Sequence, residues 1–195
     1  GFASDLGTVT DEIGTGLYRK TIDLSAVSGF DTAGSVTFRF YLYDQYPGTA
    51  GNRKIGIDDI RLAGVPLATS LFATDFEDAT QSSADNPIDM GGTTHSNVTV
   101  GSLTDGAGIN IFSLRSEGTS DGLFASEAAG DNLSSNLADS VSIGSYFEFT
   151  LDSTEAVNLD LLSCDFVKHG FNQLAGVAVR SSLDSYAADL ATVTN

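Results

Sequence analysis

The chain has 195 residues, and its 26 acidic and 9 basic side chains give a formal net charge of −17. Such a charge repels phosphate backbones and anionic lipid surfaces, which excludes nucleic acid as a partner. The sequence has no apolar run long enough to span a bilayer and no signal-peptide pattern at its start. We therefore expect no membrane insertion and place any export leader outside these residues. A content of 21 Gly, 3 Pro and 41% hydrophobic residues favours a folded domain of short strands and many turns.

Two segments in the first part of the chain alternate between apolar and polar residues. In residues 17–24 the alternation places on one face Tyr18, Lys20, Ile22 and Leu24. In residues 36–44 it places on one face Val36, Phe38, Phe40 and Leu42, and on the other Thr37, Arg39, Tyr41 and Tyr43. A period of two residues is typical of half-buried β-strands. We therefore predict a strand in each segment, with the apolar rows facing the core.

A third segment, residues 55–65, changes phase in its middle. Its apolar residues are Ile55 and Ile57, then Ile60 and Leu62. The first two have odd numbers and the last two have even numbers, so a regular strand cannot turn all four to one face. One extra residue in the strand corrects the phase. We predict such a β-bulge near Asp58–Asp59, where it would redirect a carboxylate.

Five more strands are predicted in the second part of the chain. They lie at residues 70–77, 97–103, 145–152, 158–166 and 174–182. In the third of these the inward face carries Phe147, Phe149 and Leu151. Residues 77–96 and 116–140 are rich in polar residues and are predicted to be loops, the second with a short strand at residues 123–125, and a helix is expected only around 182–190. The sequence thus predicts an all-β, antiparallel β-sandwich.

The opening of the chain is repeated near its close. Residues 185–194, which we call the closing segment, match residues 1–10, the opening segment, at six positions. The identical pairs are Ala3/Ala187, Asp5/Asp189, Leu6/Leu190, Thr8/Thr192, Val9/Val193 and Thr10/Thr194, and Phe2 is matched by Tyr186. A chance match in a chain rich in Gly, Ala, Ser and Thr is the alternative. The match predicts that the chain is about one period of a larger repeat.

Several of these strands resemble those of bacterial extracellular jelly-roll β-sandwich modules, a broad group that includes carbohydrate-binding modules. The motifs, in the order expected of such a module, are SLFATDFED, YFEFTL, VAVRSSLD, TIDLS, VTFRFYLYD and KIGIDDIRLAG. Here the order is rotated, because the last three precede the first three in the chain. The resemblance implies a jelly-roll-like fold and secreted or surface proteins that often carry such modules in tandem.

The rotation divides the chain at residues 65–69. Residues 1–64 correspond to the C-terminal part of a module, residues 65–69 to a connector, and residues 70–195 to the N-terminal part of the next module or of the same one. Either the two parts fold on each other within one chain as a circular permutant, or each is completed by a neighbouring copy. We expect the second arrangement, since in the first the two copies of the repeated segment would compete for one place.

The resemblance also implies a structural calcium site where the opening strand of a module meets its closing strand. In this sequence the acids at those places are Asp58, Asp59, Asp75 and Glu77. Calcium takes six to eight oxygen ligands, mainly from carboxylates and carbonyls. The alternative is that these carboxylates are solvated acids on the outer face of the sheet.

Tyrosines in residues 41–46 are candidates for contact with a ligand or a neighbour. They are Tyr41, Tyr43 and Tyr46, of which the first two share a strand face. Aromatic rings on such a face stack on sugars, so polysaccharide is the partner they would bind. The chain has no Trp, and tyrosines on a strand face commonly pack across strands. We therefore favour packing, including packing against a neighbouring copy.

No catalytic constellation can be assigned. Cys164 and His169 are five residues apart on one predicted strand, roughly 15 Å at 3.3 Å per residue, which is too far for a nucleophile and its base. Cys164 is predicted to be a core residue in the row of Leu162 and Phe166. The spacing of His and Cys fits no transition-metal site, and no pair of acids can be singled out for glycoside hydrolysis. We therefore expect a protein that is not an enzyme.

These predictions favour an extracellular structural repeat. It would be a subunit of a cell-surface filament, layer or adhesive array that assembles head to tail with copies of itself. The competing hypothesis is a carbohydrate-binding module of a secreted enzyme or adhesin. Binding to polysaccharide that is lost on Tyr41→Ala and Tyr43→Ala would favour the second hypothesis.

Overall fold

A computed structural model of the chain shows an all-β, antiparallel architecture, as predicted. It describes residues 9–14, 17–25, 31–44, 53–65, 69–76, 87–109, 111–114, 124–128, 136–169 and 175–193. Within them the strands are β1 Val9–Gly14, β2 Leu17–Asp23, β3 Asp31–Asp44, β4 Arg53–Val65, β5 Thr69–Thr74, β6 Thr93–Thr94, β7 Val98–Val100, β8 Thr104–Asp105, β9 Ile111–Leu114, β10 Phe124–Ala128, β11 Tyr146–His169, β12 Ala175–Ser181 and β13 Ala191–Val193. The helical elements are α1 Leu137–Ile143 and a 3₁₀ helix, Ser182–Asp184.

The long strand β11 organises the sheet, because its two ends pair with different neighbours. Residues 146–153 of β11 pair with β3 along one edge. Along the other edge, parts of the same stretch pair with β7 and β8. Residues 161–167 pair with β2, and residues 158–169 pair with β4. The pairing with β3 shifts register between Ser153 and Val157 and ends at Asn158, where the pairing with β4 begins, so β11 passes there from one set of neighbours to the other. β11 therefore belongs to two layers of the structure.

The two layers face each other across a common core, as in a β-sandwich. The first layer has the order β13-β12-β3-β11, with β7 and β8 beyond β11. The second has the order β1-β2-β11-β4, and β5 and β10 pair with different stretches of β4. The ring centroids of Phe40 and Phe166 lie 6.1 Å apart, and those of Phe149 and Phe72 lie 6.2 Å apart. Each of these pairs joins one layer to the other.

The apolar rows predicted from the alternation line this core. The buried residues of β3 include Val36, Phe38, Phe40 and Leu42, and those in the first part of β11 include Phe147, Phe149 and Leu151. In β2 the same face carries Lys20 and Ile22, with Leu24 just beyond the strand, and all three are buried. Burial of a large apolar side chain contributes about 1.5–3 kcal/mol, so these rows supply much of the stability.

The predicted bulge in β4 is present. Opposite β11 the register shifts between Ser163 and Asp165, so that two residues of β4 face one residue of β11. Asp59 lies in this shift and has a left-handed backbone, with a φ of 48°. The residues that β4 turns toward the core are consequently Ile57, Ile60 and Leu62, all of them buried. The bulge thus corrects the change of phase seen in the sequence.

A helix lies where the end of a loop was predicted. α1 begins after Asn136, whose side-chain oxygen accepts a hydrogen bond from the Asp139 N–H at 3.0 Å. The buried hydroxyl of Ser140 donates to the Leu42 carbonyl of β3 at 2.7 Å, which fixes the helix to the first layer. The prediction of a loop is therefore wrong for the end of residues 116–140, whereas the short strand expected within it at residues 123–125 overlaps β10.

The helix expected around residues 182–190 is limited to the 3₁₀ turn Ser182–Asp184. Of the loop predicted at residues 77–96, the first ten residues lie outside the described part of the chain, and the rest includes only the short strand β6. Among the described residues, no helix has the length and apolar character needed to cross a bilayer.

Both parts of the rotated chain contribute to the same sheet. β3 and β4 come from the first part of the chain, and they pair with β11 and β12 from the second. Of the closing segment, residues 191–193 lie beside β12 as β13, and of the opening segment Val9 and Thr10 lie beside β2 in β1, while residues 1–8 lie outside the described part of the chain. The expected competition of the two copies for one place therefore stays a prediction. The apolar rows of β3 and β11 are buried within a single chain.

Candidate functional site

A row of charged side chains crosses the outer face of the second layer. Arg19 of β2, Asp165 of β11 and Asp58 of β4 are cross-strand neighbours, and we call them the aspartate row. The Nε and Nη2 atoms of Arg19 donate to the two carboxylate oxygens of Asp165, each at 2.7 Å. This two-point hydrogen bond is the main cause of the raised pKa of Arg19. The pair fixes β2 to β11.

The bulge in β4 turns Asp59 toward the same row. One oxygen of Asp59 accepts a hydrogen bond from Nη2 of Arg19 at 3.0 Å, and the other accepts from Nη2 of Arg61 at 3.1 Å. Asp59 thus bridges two arginines that lie on different strands. The prediction that a bulge redirects a carboxylate is confirmed.

Asp58 is the most enclosed acid on β4. It is 8% exposed, and its carboxylate accepts the Asp59 N–H at 2.8 Å. Burial is the main reason why the pKa of Asp58 is raised from 3.8 to about 6, and the charges of Asp59, Asp165 and Asp75 contribute in the same direction. Asp58 therefore holds a proton under mildly acidic conditions.

These acids do not form a calcium site by themselves. Both oxygens of Asp59 are bound by arginines, and within the described part of the chain no three carboxylate, His or Cys groups are arranged to hold a metal ion. Asp75 lies close enough to Asp58 to raise its pKa, whereas Glu77 lies outside the described residues. Calcium binding stays a prediction, and it depends on Glu77 joining Asp58 and Asp75.

Tyr41 and Tyr43 are buried beneath α1. They are 2% and 8% exposed, and they pack against the helix through Leu137 and Val141. Burial raises the pKa of the Tyr43 hydroxyl. In this position neither ring offers a free face to a sugar, so packing, the interpretation that the sequence favoured, describes both. Tyr46 lies outside the described residues.

A second charged row crosses the outer face of the first layer. Arg180 of β12, Arg39 of β3 and Glu148 of β11 are cross-strand neighbours, and we call them the arginine row. Arg39 Nε donates to Glu148 at 2.6 Å. The guanidinium carbon of Arg39 lies 4.3 Å from the ring centroid of Tyr146 and 3.8 Å from that of Tyr186. Burial alone would lower the pKa of Arg39, but the hydrogen bond to Glu148 and the other neighbours raise it overall.

The closing segment folds back over the arginine row. Arg180 Nε donates to Asp189 at 2.6 Å, and its Nη1 donates to the Tyr186 carbonyl at 2.9 Å. Leu190 packs on the core, and Ala191 is buried. The segment then continues as β13, which pairs with β12. We call the arginine row and the edge of β12 together the docking surface of the closing segment.

A buried lysine links the two copies of the repeated segment. Lys20 of β2 is buried, and its Nζ donates to the Thr192 carbonyl of β13 at 3.3 Å. In the sheet, Lys20 pairs with Cys164 of β11 on one side and with Thr10 of β1 on the other. Val193, the last residue of β13, is equivalent to Val9, the first residue of β1. When the two segments are aligned, β1 therefore begins at the aligned position at which β13 ends.

Cys164 lies in the core, as predicted. It is fully buried, in a row with the buried side chains of Leu162 and Phe166. Burial raises the pKa of its thiol, which disfavours the reactive thiolate. His169 ends the same strand, β11, so the chain continues as a strand between the two residues. This is the geometry that led us to reject them as a catalytic pair.

The break in the alternation of β4 indicates Asp58 and Asp59, but no sequence pattern indicates which arginines accompany them. Arg19 and Asp165 are 146 residues apart and meet only because β2 pairs with β11. Arg39 and Arg180 meet only because β3 pairs with β12. The signal available in the sequence was an arginine at an outward position of each strand, which predicts a charged face but not the partner of each charge.

No protein-family model, no curated protein and no solved structure matches the chain. The all-β architecture is observed directly, whereas the likeness to jelly-roll modules stays an interpretation of sequence motifs and their order.

Proposed function

We propose that the chain is an extracellular structural repeat, which assembles head to tail with copies of itself into a filament, layer or adhesive array at the cell surface. The observation that carries this proposal is the placement of the repeated segment. Among the described strands, β13 is the outermost strand beside β12 in the first layer, and β1 is the outermost beside β2 in the second. One chain therefore places the end of the closing segment at one sheet edge and the last residues of the opening segment, Val9 and Thr10, at another.

Both edges suit the continuation of one repeat into the next. In a continuous array, the closing segment of one copy would take the place of the opening segment of the next copy and continue directly into its residue 11. The joined segment would form one strand that pairs first with β12 of one copy and then with β2 of the next. The equivalence of Val193 and Val9 and the contact of Lys20 with Thr192 support such a path. Head-to-tail contacts that do not close into a ring give extended assemblies.

The mass of the purified chain at increasing concentration tests this proposal. Light scattering should show a mass that rises from the 20.3 kDa of one chain without settling at a fixed oligomer. Electron microscopy of the same samples should show extended particles. A constant mass of 20.3 kDa up to millimolar concentration would contradict the proposal and leave a solitary permuted module.

Carbohydrate binding is the second candidate, on a different pair of tyrosines from those predicted. Tyr146 and Tyr186 are partly exposed and flank Arg39. Partly exposed rings beside a few polar side chains are typical of sugar sites. Polysaccharide binding that is lost in Tyr186→Ala and kept in Tyr43→Phe would favour this candidate. Failure to bind any sugar on a glycan array would exclude it.

A further inference from the structure

We propose that the docking surface of one copy receives the opening segment of a second copy, in place of its own closing segment. This inference rests on the proposed function, because it names the contact by which two copies would join. The surface comprises the arginine row and the edge of β12. Its occupant is residues 1–10 of another copy of this chain.

The opening segment repeats the side chains by which the closing segment is held. Asp189, which accepts from Arg180 at 2.6 Å, is matched by Asp5. Leu190, which packs on the core, is matched by Leu6. Asp5 of the opening segment would bind the Arg180 guanidinium as Asp189 does, and Leu6 would cover the same apolar surface as Leu190. The side chains that fix the segment are thus conserved between its two copies.

The turn that leads into the segment is also compatible with the opening sequence. Tyr186, whose ring covers Arg39 at 3.8 Å, is matched by Phe2, and a phenylalanine ring offers the same π face to a guanidinium. Ser185 has a left-handed backbone with a φ of 59°, and its counterpart is Gly1. Glycine adopts this conformation without the steric cost that a side chain brings.

The pairing with β12 would be kept as well. In the structure Thr192 of β13 lies opposite Ala178 of β12, and Thr192 is matched by Thr8. Strand addition at a sheet edge depends on backbone hydrogen bonds, which any residue but proline can make. The opening segment contains no proline. It can therefore replace β13 in the same register once Val9, the counterpart of Val193, leaves its pairing with Thr21 of β2.

Two differences favour the chain's own closing segment over the opening segment of a neighbour. Ala191 is buried, whereas its counterpart Gly7 has no methyl group to bury. The closing segment is also part of the same chain, which gives it a high effective concentration at the docking surface. Exchange between copies should therefore increase with protein concentration and when the closing segment is weakened.

A disulfide trap in the full chain tests the proposal. Ala178→Cys with Thr192→Cys should close a bond within one chain, because these positions are cross-strand partners. Ala178→Cys with Thr8→Cys should instead give a ladder of linked chains that grows with protein concentration. Cys164 does not interfere, because it is buried and its pKa is raised. If the second pair closes within one chain, or stays open where the first pair closes, the proposal is wrong.

A matched pair of substitutions shows which segment occupies the surface. On the Ala178→Cys/Thr8→Cys background, Asp189→Ala should raise the linked fraction about threefold by weakening the closing segment, and Asp5→Ala should lower it by a similar factor. Equal effects of the two substitutions would overturn the proposal.

Light scattering of the chain without introduced cysteines gives a second measurement if the cysteine variants do not fold. The associated mass should rise with Asp189→Ala and fall with Asp5→Ala. Association that neither substitution changes would leave the proposed function in place and show that this contact is wrong. A chain that never associates, with or without Asp189→Ala, would contradict both.

Discussion

The outer faces of the two layers use the same kinds of charged residue in opposite proportions. The arginine row places Arg180 directly opposite Arg39, whereas the aspartate row places Asp165 directly opposite Asp58. Like charges that face each other on neighbouring strands destabilise a sheet. Each layer must therefore neutralise a repulsion of its own, and the two layers do so by different chemistry.

In the arginine row, aromatic rings and acids relieve the repulsion. Arg39 lies between the rings of Tyr146 and Tyr186, and Arg180 binds Asp189. The planar guanidinium stacks on aromatic faces and keeps its charge throughout the physiological pH range. Two arginines can thus face each other in this layer without making its stability depend on their protonation.

In the aspartate row, one guanidinium and one proton share the task. Arg19 binds Asp165 at two points, while Asp58 accepts a backbone N–H and has a raised pKa. A proton on Asp58 removes the repulsion, so acid stabilises this layer. We therefore expect the pH dependence of stability to arise from the buried Asp58 of the aspartate row rather than from the arginine row, and three substitutions and one added ligand test this contrast.

Arg19→Ala is expected to have the largest effect. The Asp165 side chain is 4% exposed, and without the guanidinium it is left beside Asp58 with no two-point partner. We expect the free energy of unfolding at neutral pH, measured by urea denaturation, to fall by about 3 kcal/mol. Arg61→Ala is the matched control, because that guanidinium is 56% exposed, and it should cost less than about 1 kcal/mol. Equal losses in the two variants would contradict the special role of Arg19.

Arg39→Ala tests the arginine row, and we expect it to lower the free energy of unfolding by about 2 kcal/mol. The variant loses the ion pair with Glu148 and the contacts with two rings. Arg39→Lys keeps the charge but cannot stack as a plane between the rings, so it should lose about half as much. If Arg39→Lys were as stable as the wild type, charge alone would explain the row and the contrast with the aspartate row would fail.

Asp58→Asn should stabilise the chain at neutral pH. The pKa of Asp58 is higher in the folded chain, at about 6, than its ordinary value of 3.8, so the folded state binds this proton more tightly than the unfolded state. The stability that this group contributes is full below the unfolded pKa and is lost as pH rises through the folded pKa. The amide of Asn cannot ionise, and its oxygen still accepts the Asp59 N–H.

The measurement is the free energy of unfolding of Asp58→Asn and of the wild type across pH. The advantage of the variant should grow by about 2 kcal/mol between about pH 4 and pH 7.5. Asp59→Asn is the matched control, since that carboxylate is bound by two arginines, and it should destabilise the chain at neutral pH. An advantage of Asp58→Asn that is the same at both pH values would show that Asp58 does not titrate in this range.

Calcium is expected to have the smallest effect. Binding to the folded state by Asp58, Asp75 and Glu77 would raise the melting temperature in millimolar Ca²⁺ by a few degrees, and chelator would reverse the change. Glu77→Gln should abolish this response, whereas Glu155→Gln should not, because Glu155 binds Asn97 and lies ten residues along β11 from Asp165, the partner of Asp58. A melting curve that is unchanged by Ca²⁺ and by chelator would remove the calcium prediction.

Features of the fold that depend on local alternation could be predicted from the sequence. The change of parity between Ile57 and Ile60 predicted the bulge, because a period of two residues specifies which side chains share a face. The burial of Phe38 and Phe149 followed from the same periodicity. The seven-residue helix α1 gave no such signal, because a contact with a distant strand, from Ser140 to Leu42, supports it.

The candidate sites could be predicted only in part, because periodicity gives the face of a residue but not its partner. Asp58 and Asp59 stood out as adjacent acids at a break in the pattern. Their environment depends on the register of β2 and β4 against β11, which brings Arg19 and Asp165 to the same place. Tyr41 was assigned to an outward face, which is correct, but the helix that covers it could not be foreseen.

Strand β11 couples the two layers in any partial opening of the molecule. Its first part supplies hydrogen bonds to β3, and its second part supplies them to β2 and β4. Neither layer can detach as a separate folding unit without fraying the strand that holds the other, so the two layers should open together. The slowest-exchanging amide hydrogens should therefore come from both layers and share one opening free energy. A chain whose motifs occur in rotated order would then still unfold as one cooperative body.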